Sequence, residues 1–255
     1  MPINDPILYW TMDNADISGT TITDRGSGGY NGTMNNSPIT GVTGKIAQAV
    51  EFDNTYYQRI ENDAVYAAVE GKSGLSVSCW QNTDIGSLDV GFTGGENNGI
   101  TLFGGSIGIV GSMRKDGEYN TVQQTSLSLS GWNHFIAVYD GSIPRVVLYL
   151  NGSHITSFSY SNGDPSYATS SASTAGNFYV GYSPQAGTYR EIGVADEVRL
   201  YDRALSSTDA TDLFNFNGAG ASSGLLMRRR RQAMMQAKWQ KNESGLYVPD
   251  RRIAA

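Results

Sequence analysis

The chain has 255 residues, a formal net charge of −6 and 39% hydrophobic residues, a composition that excludes a wholly disordered protein. Its single cysteine, Cys79, excludes an intrachain disulfide. No run approaches the roughly 18 apolar residues of a membrane-spanning helix. The start, MPINDPILYWTMDNAD, lacks the basic and apolar regions of a signal peptide. We therefore expect synthesis and folding in a cytosol, and no membrane span.

Short alternating segments separated by Gly, Asn, Asp and Ser fill residues 1–217. This spacing predicts an all-β antiparallel sandwich or barrel. The segments 81–99 and 159–176 are rich in Gly, Ser and Asn, and we expect them to be loops of the kind that carry binding. The expected strands are Ile7–Met12, Ala47–Phe52, Tyr57–Ile60, Leu75–Trp80, Ile100–Phe103, Ile107–Val110, His134–Tyr139, Val146–Leu150, Phe178–Tyr182 and Glu197–Tyr201.

The clearest local signal is GWNHFIAVYDGSIPRVVLYLNG, residues 131–152. Two alternating runs bounded by Asp-Gly and Asn-Gly predict a hairpin. In this hairpin His134 is expected to be a packed strand residue. Cys79 lies in a similar alternating run and is expected to be a buried strand thiol.

A short helix is predicted over Leu205–Phe214, where Ser206 can cap the first turn and Asp209 completes a capping box. The segment 218–224, GAGASSG, has the composition of a flexible linker. Beyond it, Leu225–Asn242 is rich in helix formers, and we expect a short basic C-terminal tail that is helical in this segment and extended from Ser244.

Charge is divided unequally along the chain. Residues 225–255 hold eight Lys and Arg and two acidic residues, whereas residues 1–224 hold 10 basic and 22 acidic residues. An acidic body with a basic tail indicates different partners for the two parts. The tail combines charge with apolar side chains, which favours docking into a protein assembly over binding nucleic acid. The expected anchor residues are Arg228, Arg229, Arg230, Arg231, Met234, Met235 and Trp239.

Five segments, in order along residues 5–217, carry a family resemblance. They are LYWTMDNADISGTTITDRGSGGYNGTM, GKIAQAVEFDNTYYQRI, LSVSCW, GWNHFIAVYDG with VVLYLNG, and VGYSP with GVADEVRLYDRALSSTDATDLF. Together they resemble the laminin-G-like, concanavalin A-like jelly rolls, with Asn54 and Ala195 as departures from the pattern. The resemblance implies two curved antiparallel sheets and a domain that binds glycans or proteins, often with calcium.

The resemblance also implies a structural calcium site. It would use Asp196, with Asp13 and the carbonyl of Gly32 as further ligands, since calcium prefers mixed carboxylate and carbonyl oxygens. The alternative is that Asp196 only caps or pairs locally, for instance with Arg199 or Arg203.

Catalysis is not expected. A glucanase of this fold would need two suitably spaced carboxylates, as in E-x-D-x-x-E, and that pattern does not occur in the chain. Glu51 and Asp53 alternate correctly but belong to a structural segment of the resemblance. Glycan contacts are more plausible for tyrosines in loops, and the candidates are Tyr119, Tyr160, Tyr167 and Tyr189.

These patterns lead to one main hypothesis. The chain would be a non-enzymatic virion protein, of the bacteriophage capsid-decoration, fibre or tail type, forming a homo-oligomer within an assembly. Its jelly roll would face outward and bind host glycans, and its tail would hold other virion proteins. Two alternatives stay open, a structural cement protein that binds no sugar and a carbohydrate-active enzyme or its accessory module.

Overall fold

The computed structural model describes residues 5–53, 57–93, 98–115, 118–159, 177–182, 192–218, 239–241 and 247–249. The chain divides into two compact units, Met1–Asn215 and Phe216–Ala255. The first unit contains a 3-10 turn, Asn14–Asp16, and two helices, α1 (Tyr66–Val69) and α2 (Ser207–Phe214). Its strands are β1 (Leu8–Trp10), β2 (Ile17–Ser18), β3 (Thr21–Ile22), β4 (Gly32–Asn35), β5 (Ile39–Thr43), β6 (Gln48–Asp53), β7 (Arg59–Asn62), β8 (Gly74–Asn82), β9 (Leu88–Thr93), β10 (Asn98–Gly105), β11 (Gly108–Lys115), β12 (Glu118–Thr125), β13 (Trp132–Asp140), β14 (Arg145–Leu150), β15 (Ser153–Ser159), β16 (Asn177–Gly181) and β17 (Ile192–Tyr201).

The strands of the first unit form two antiparallel sheets, which confirms the predicted jelly-roll sandwich. Sheet A has the order β15-β14-β13-β8-β17-β6-β5, and β1 also pairs with β17. Sheet B has the order β12-β11-β10-β9-β16-β7-β4-β3-β2. Some neighbours are consecutive in the chain, such as β13–β14–β15 and β9–β12, but β8 pairs with β13 and β17, and β16 pairs with β7 and β9, so local patterns alone could not order either sheet.

The main core lies between the inner faces of the two sheets. Alternate residues of facing strands meet there, including Val77 and Phe135 from sheet A and Val90 and Leu102 from sheet B. Cys79 is fully buried in this core, as predicted, and burial raises the pKa of its thiol to about 12. The thiol is therefore an inert packing group at neutral pH.

A second apolar cluster covers the outer face of sheet A. Helix α2 packs Ala210 and Leu213 against strand residues that include Ile136 and Tyr149. The predicted cap is confirmed, since Ser206 and Asp209 form a reciprocal capping box at the start of α2. Helix α2 thus covers the outer face of sheet A around β13 and β14, whereas no helix of the described residues is packed in this way on the outer face of sheet B.

The predicted hairpin is confirmed, and a second one follows it directly. Strands β13 and β14 pair from Phe135–Leu150 to Asp140–Arg145. Strand β14 then returns through Asn151-Gly152, whose φ angles are 50° and 77°. Two-residue turns of this type require positive φ at both positions, and Asn-Gly is the pair best suited to them.

Two sequence expectations are wrong. Segment 81–99 is not only a loop, because it contains β9, which runs through the middle of sheet B. Tertiary pairing on both sides of β9 overrides its glycine-rich composition. The predicted C-terminal helix also fails at Trp239–Lys241, which is a strand paired with Tyr247–Pro249, and Trp, Tyr and Val all favour strands. The rest of that helix lies outside the described residues.

Among the described residues, we find no helix with the length and apolar character needed to cross a membrane.

Candidate functional site

Strands β9–β12 present one continuous outward surface on sheet B. Successive strand residues alternate between faces, and the inward set, such as Leu102, Ile109 and Val122, belongs to the core. The intervening residues therefore face outward, and we call them the polar face. Its eight positions are Asp89, Gly91, Thr101, Phe103, Val110, Ser112, Thr121 and Gln123.

The polar face is organised in two rows that cross the strands. The first row aligns Gly91, Thr101, Ser112 and Thr121 through direct pairing. The Thr101 and Ser112 hydroxyl oxygens lie 2.5 Å apart and share a hydrogen bond. At Gly91 a Cβ would lie 2.4 Å from the Ile100 carbonyl oxygen, so this position is restricted to glycine. The row therefore offers the hydroxyl groups of Thr101 and Thr121, with Ser112 buried between them and no side chain at Gly91.

The second row aligns Asp89, Phe103, Val110 and Gln123. Phe103 and Val110 are partly exposed, and Gln123 is exposed. Burial raises the pKa of the Asp89 carboxyl to about 6, although a hydrogen bond from the Tyr179 hydroxyl opposes the shift. An aromatic ring next to a carboxyl group and a line of hydroxyls is the combination that sugar sites use.

Glu61 on β7 extends the polar groups of sheet B beyond β16. Arg59 donates to both of its carboxylate oxygens at 2.9 and 3.0 Å, and Asn35 and Asn177 each donate at 2.9 Å. Burial alone would raise the pKa of Glu61, but these hydrogen bonds outweigh it and hold the pKa below its usual value. Glu61 is therefore an ionised and fully engaged group that organises the sheet, which makes it a poor nucleophile.

Sheet A carries the predicted calcium ligands Asp13 and Asp196. Asp196 accepts a hydrogen bond from Ile46 N at 2.8 Å, and Asp13 accepts one from Gln48 N at 2.9 Å. Asp196 thus binds the backbone of the turn between β5 and β6, and Asp13 binds the backbone where β6 begins. Gly32 lies on β4 in sheet B, where a Cβ at this position would lie within 3 Å of the side chains of Ile22, Ile60 and Trp10. The structure brings two of the three predicted ligands together.

The carboxylates of Asp13 and Asp196 are suited to supply two oxygen ligands to a cation. Asp196 Oδ1 is buried and has no hydrogen-bond partner. Burial, with added repulsion from Glu197 and Asp13, raises the pKa of Asp196 to about 8. A calcium ion would satisfy the orphaned oxygen and relieve that repulsion. In the described part of the chain no three His, Cys, Asp or Glu side chains form a metal cluster, so carbonyl oxygens and water would complete the coordination.

Local pairing of Asp196 with Arg199 or Arg203 was the alternative. Arg199 instead contacts the Glu197 carboxylate, which also accepts a 2.6 Å hydrogen bond from the Tyr9 hydroxyl. Arg203 pairs with Asp209 at 3.0 Å. Glu197 was missed from the sequence because the β-bulge between Asp196 and Arg199, which turns its carboxylate into this cluster, has no local signature.

His134 is a packed residue, as predicted. It is fully buried beside the Trp80 ring, with ring centroids 5.0 Å apart. Burial, with added repulsion from Arg199 and Lys45, lowers the pKa of His134 to about 3. The imidazole is therefore neutral at physiological pH.

Residues 104–108, GGSIG, match the G-x-S-x-G spacing of a hydrolase nucleophile elbow. An elbow joins a strand to a helix, whereas Ser106 and Ile107 here form the turn between the antiparallel strands β10 and β11. The structural context therefore excludes the nucleophile elbow.

Of the other predicted site residues, only Tyr119 and Trp239 lie within the described residues. Tyr119 lies on β12, paired with Arg114, two residues before Thr121 of the polar face. Trp239 lies in the C-terminal strand pair. The remaining candidates are outside the described residues: Tyr160, Tyr167, Tyr189, Arg228, Arg229, Arg230, Arg231, Met234 and Met235.

Asp89, Phe103 and Tyr179 were missed as site residues. The alternation in Leu88-Asp-Val-Gly-Phe92 could have indicated a strand with Asp89 on its outer face. Nothing local could have placed that strand between β10 and β16.

The fold and the family agree. Residues 53–211 match the Laminin_G_3 family, described as the concanavalin A-like lectin/glucanases superfamily. The match spans more than half of the chain, so the chain belongs to this family. No curated protein matches the chain.

Solved toxin domains share the fold. The binding domain of Paraclostridial Mosquitocidal Protein 1 aligns with a TM-score of 0.64 at 12% identity, over 84% of this chain and 52% of that domain. The botulinum neurotoxin serotype G binding domain aligns with a TM-score of 0.59 at 14% identity, over 82% and 50%. Botulinum neurotoxin type C, whose cell entry depends on two ganglioside molecules, aligns with a TM-score of 0.57 at 12% identity, over 84% and 51%. The chain thus spans about half the length of these structures, and identities this low establish the shared fold alone.

Proposed function

We propose that this chain is a non-enzymatic, lectin-like module that binds glycans on the polar face of sheet B. The observation that carries the proposal is the row in which Phe103 lies beside Asp89, next to the hydroxyl row. An aromatic ring can stack on the apolar face of a sugar while carboxyl and hydroxyl groups bond to its hydroxyls. The likeness to toxin binding domains supports a binding role, since those domains contact receptors rather than catalyse reactions.

The environment of Glu61 supports a non-enzymatic role. Glu61 already accepts four hydrogen bonds from Arg59, Asn35 and Asn177. It lies on β7, and β16 separates it from the strand that carries Asp89. A retaining glycosidase needs a free carboxylate close to its general acid. This arrangement favours recognition over hydrolysis.

Removal of the Phe103 ring tests the glycan proposal. We expect Phe103→Ala to weaken binding at least tenfold, about 1.4 kcal/mol, because the ring is the main apolar contact of the face. The glycan would first be identified on an array, and its affinity then measured by titration calorimetry. Phe158→Ala is the matched control, since Phe158 is a half-exposed phenylalanine on β15 in sheet A. Equal losses in the two variants, or full binding by Phe103→Ala, would contradict the assignment of the site.

We further propose that the module is displayed on a virion, as a homo-oligomer, with residues 225–255 as the segment that holds neighbouring virion proteins. The support is the contrast between the acidic body and a tail with eight basic residues and apolar side chains. A structural calcium ion at Asp13 and Asp196 belongs to the same proposal.

Truncation tests the anchoring role of the tail. A chain ending at Gly224 should keep its glycan binding but lose incorporation into the particle, because binding and anchoring use different parts of the chain. Quantitative mass spectrometry of purified particles measures the incorporation. Full occupancy by the shortened chain would show that the tail is not the anchor.

A further inference from the structure

The two ends of the sandwich differ in charge. At one end, which we call the apolar end, β8, β10 and β14 finish and β9, β11 and β13 begin. The described connections at this end hold one charged residue, Asp84, and they include 36–38, 83–87, 106–107, 126–131 and 151–152. At the opposite end, the connections 63–73 and 202–206 alone hold five charged residues: Asp63, Glu70, Lys72, Asp202 and Arg203.

Exposed hydrophobic side chains gather at the apolar end. Among the described residues, five of the seven exposed large hydrophobic residues lie there: Ile39, Tyr57, Ile85, Ile107 and Ile192. The other two, Ile143 and Phe158, lie toward the charged end. Single exposed apolar residues are normal on a soluble protein, but several at one place, with few charges between them, are typical of an interaction surface.

Three of these isoleucines come together around Ser87. The Ser87 N–H donates to the Ile192 carbonyl oxygen at 2.8 Å. A Cβ built on Gly105 would lie 3.0 Å from the Ser87 Cβ, so the end of β10 lies against the connection between β8 and β9. Ile107 follows in the β10–β11 turn and is 69% exposed, more than any other large hydrophobic residue that the structure describes. We call Ile85, Ile107 and Ile192 the isoleucine tip.

Charge indicates what covers the isoleucine tip. Residues 1–224 hold 22 acidic and 10 basic residues, so two copies of the chain repel each other over most of their surface. They can approach most closely where acidic residues are sparse, which is the apolar end. A lipid surface fits less well, because anionic bilayers attract Lys and Arg, and the described connections named for this end contain neither.

We propose that the isoleucine tip is the interface of a homodimer, in which a second copy of the chain covers the same three residues across a two-fold axis. Such a contact removes the isoleucines of both copies from water with the same patch on each side. The inference rests on the homo-oligomer of the proposed function and names its contact surface. Because the contact is small, we expect a dissociation constant on the order of micromolar.

Sedimentation equilibrium of the full-length chain, over about a hundredfold range of protein concentration, tests the inference. We expect a monomer–dimer equilibrium in the parent protein. Ile107→Asp and, separately, Ile85→Asp place like charges on both sides of the contact, and each should raise the dissociation constant at least tenfold. Ile143→Asp is the matched control, since it makes the same change at an exposed isoleucine of the opposite end, and it should leave the constant within twofold.

Salt distinguishes the isoleucine tip from the basic tail as the source of self-association. Added salt screens the repulsion between two acidic bodies and weakens no ion pair at the tip. Raising the ionic strength from about 50 to about 500 mM should therefore leave the dimer as strong or make it stronger. A dimer that dissociates in salt would be held by attraction between residues 225–255 and the acidic body, and the inference would be wrong.

Other outcomes also contradict the inference. They are a parent protein that stays monomeric at every concentration, a dimer that Ile107→Asp leaves intact, and equal weakening by Ile107→Asp and Ile143→Asp. Cosedimentation of a monomeric parent with phosphatidylcholine vesicles, lost in Ile107→Asp, would assign the tip to a lipid surface instead. Glycan binding on an array is measured separately, so failure of this interface is distinguishable from failure of the proposed lectin function.

Discussion

Replacing Glu197 with glutamine is expected to lower the free energy of unfolding by about 3 kcal/mol, the range for removing one partner of a buried ion pair. The side chains of Glu197 and Arg199 are only 2% and 4% exposed. Glutamine keeps the volume of the side chain and can still accept the hydrogen bond from Tyr9. The substitution therefore removes the negative charge that compensates the buried guanidinium. Urea denaturation followed by circular dichroism measures the loss.

Asp202→Asn is the matched control, because it makes the same carboxylate-to-amide change in an exposed pair. Lys72 and Asp202 lie 2.8 Å apart, with side chains 43% and 35% exposed. Exposed pairs contribute about 0–1 kcal/mol, so this variant should stay close to the parent protein. If Glu197→Gln also costs less than 1 kcal/mol, the charge of Glu197 does not compensate the buried Arg199 guanidinium.

The second large effect concerns pH, through Asp196. Its pKa is raised to about 8 in the folded protein, so the folded state holds this proton more tightly than the unfolded state, where the pKa is about 3.9. The contribution of Asp196 to the free energy of unfolding is therefore largest below pH 3.9, the pKa in the unfolded state. It is lost as the pH rises from there through about 8, the pKa in the folded state. Between pH 7 and 8 the loss without calcium should be about 1 kcal/mol, below the limit of about 1.4 kcal/mol per pH unit because Asp196 begins to ionise in the folded state, and Asp196→Asn should abolish most of it.

The window from pH 7 to 8 avoids most of the titration of two other groups. Asp89, with a pKa of about 6, is mostly ionised below it, whereas His134, with a pKa of about 3 in the folded state and about 6.5 in the unfolded state, adds an opposing slope that is largely complete by pH 7.5. Chemical denaturation at several pH values measures the slope, and Asp84→Asn, an exposed aspartate change, should retain it. Millimolar calcium should restore stability at pH 8 in the parent protein but not in Asp196→Asn. An equal gain in both proteins would show that Asp196 is not a calcium ligand.

Much of the fold was predictable because its signals are local. The alternation around Cys79 and in the β13–β14 hairpin follows from the two-residue period of strands, which any buried strand imposes. Ser206 and Asp209 marked the start of α2, because a capping box needs only residues three apart. These features depend on neighbours in the chain and not on the rest of the fold.

The candidate site was much less predictable. Its aromatic residue, Phe103, is separated from Tyr179 by more than 70 positions in the chain, and β9 joins them only through pairing on both of its edges. The glycine-rich surroundings of β9 predicted a loop, since composition does not report the hydrogen bonds that neighbouring strands supply. Sequence reasoning therefore looked for glycan contacts among loop tyrosines and overlooked a sheet surface.

The sequence by itself determined the fold class, the family and the strands with strong alternation, because these depend on local periodicity and on motifs in a fixed order. It also determined the charge contrast between body and tail. Only the tertiary structure decided which side chains meet. The order of strands in each sheet placed Asp89 beside Phe103, joined Asp13 to Asp196 at one turn and moved Gly32 to the other sheet, and that order is set by long-range pairing between strands.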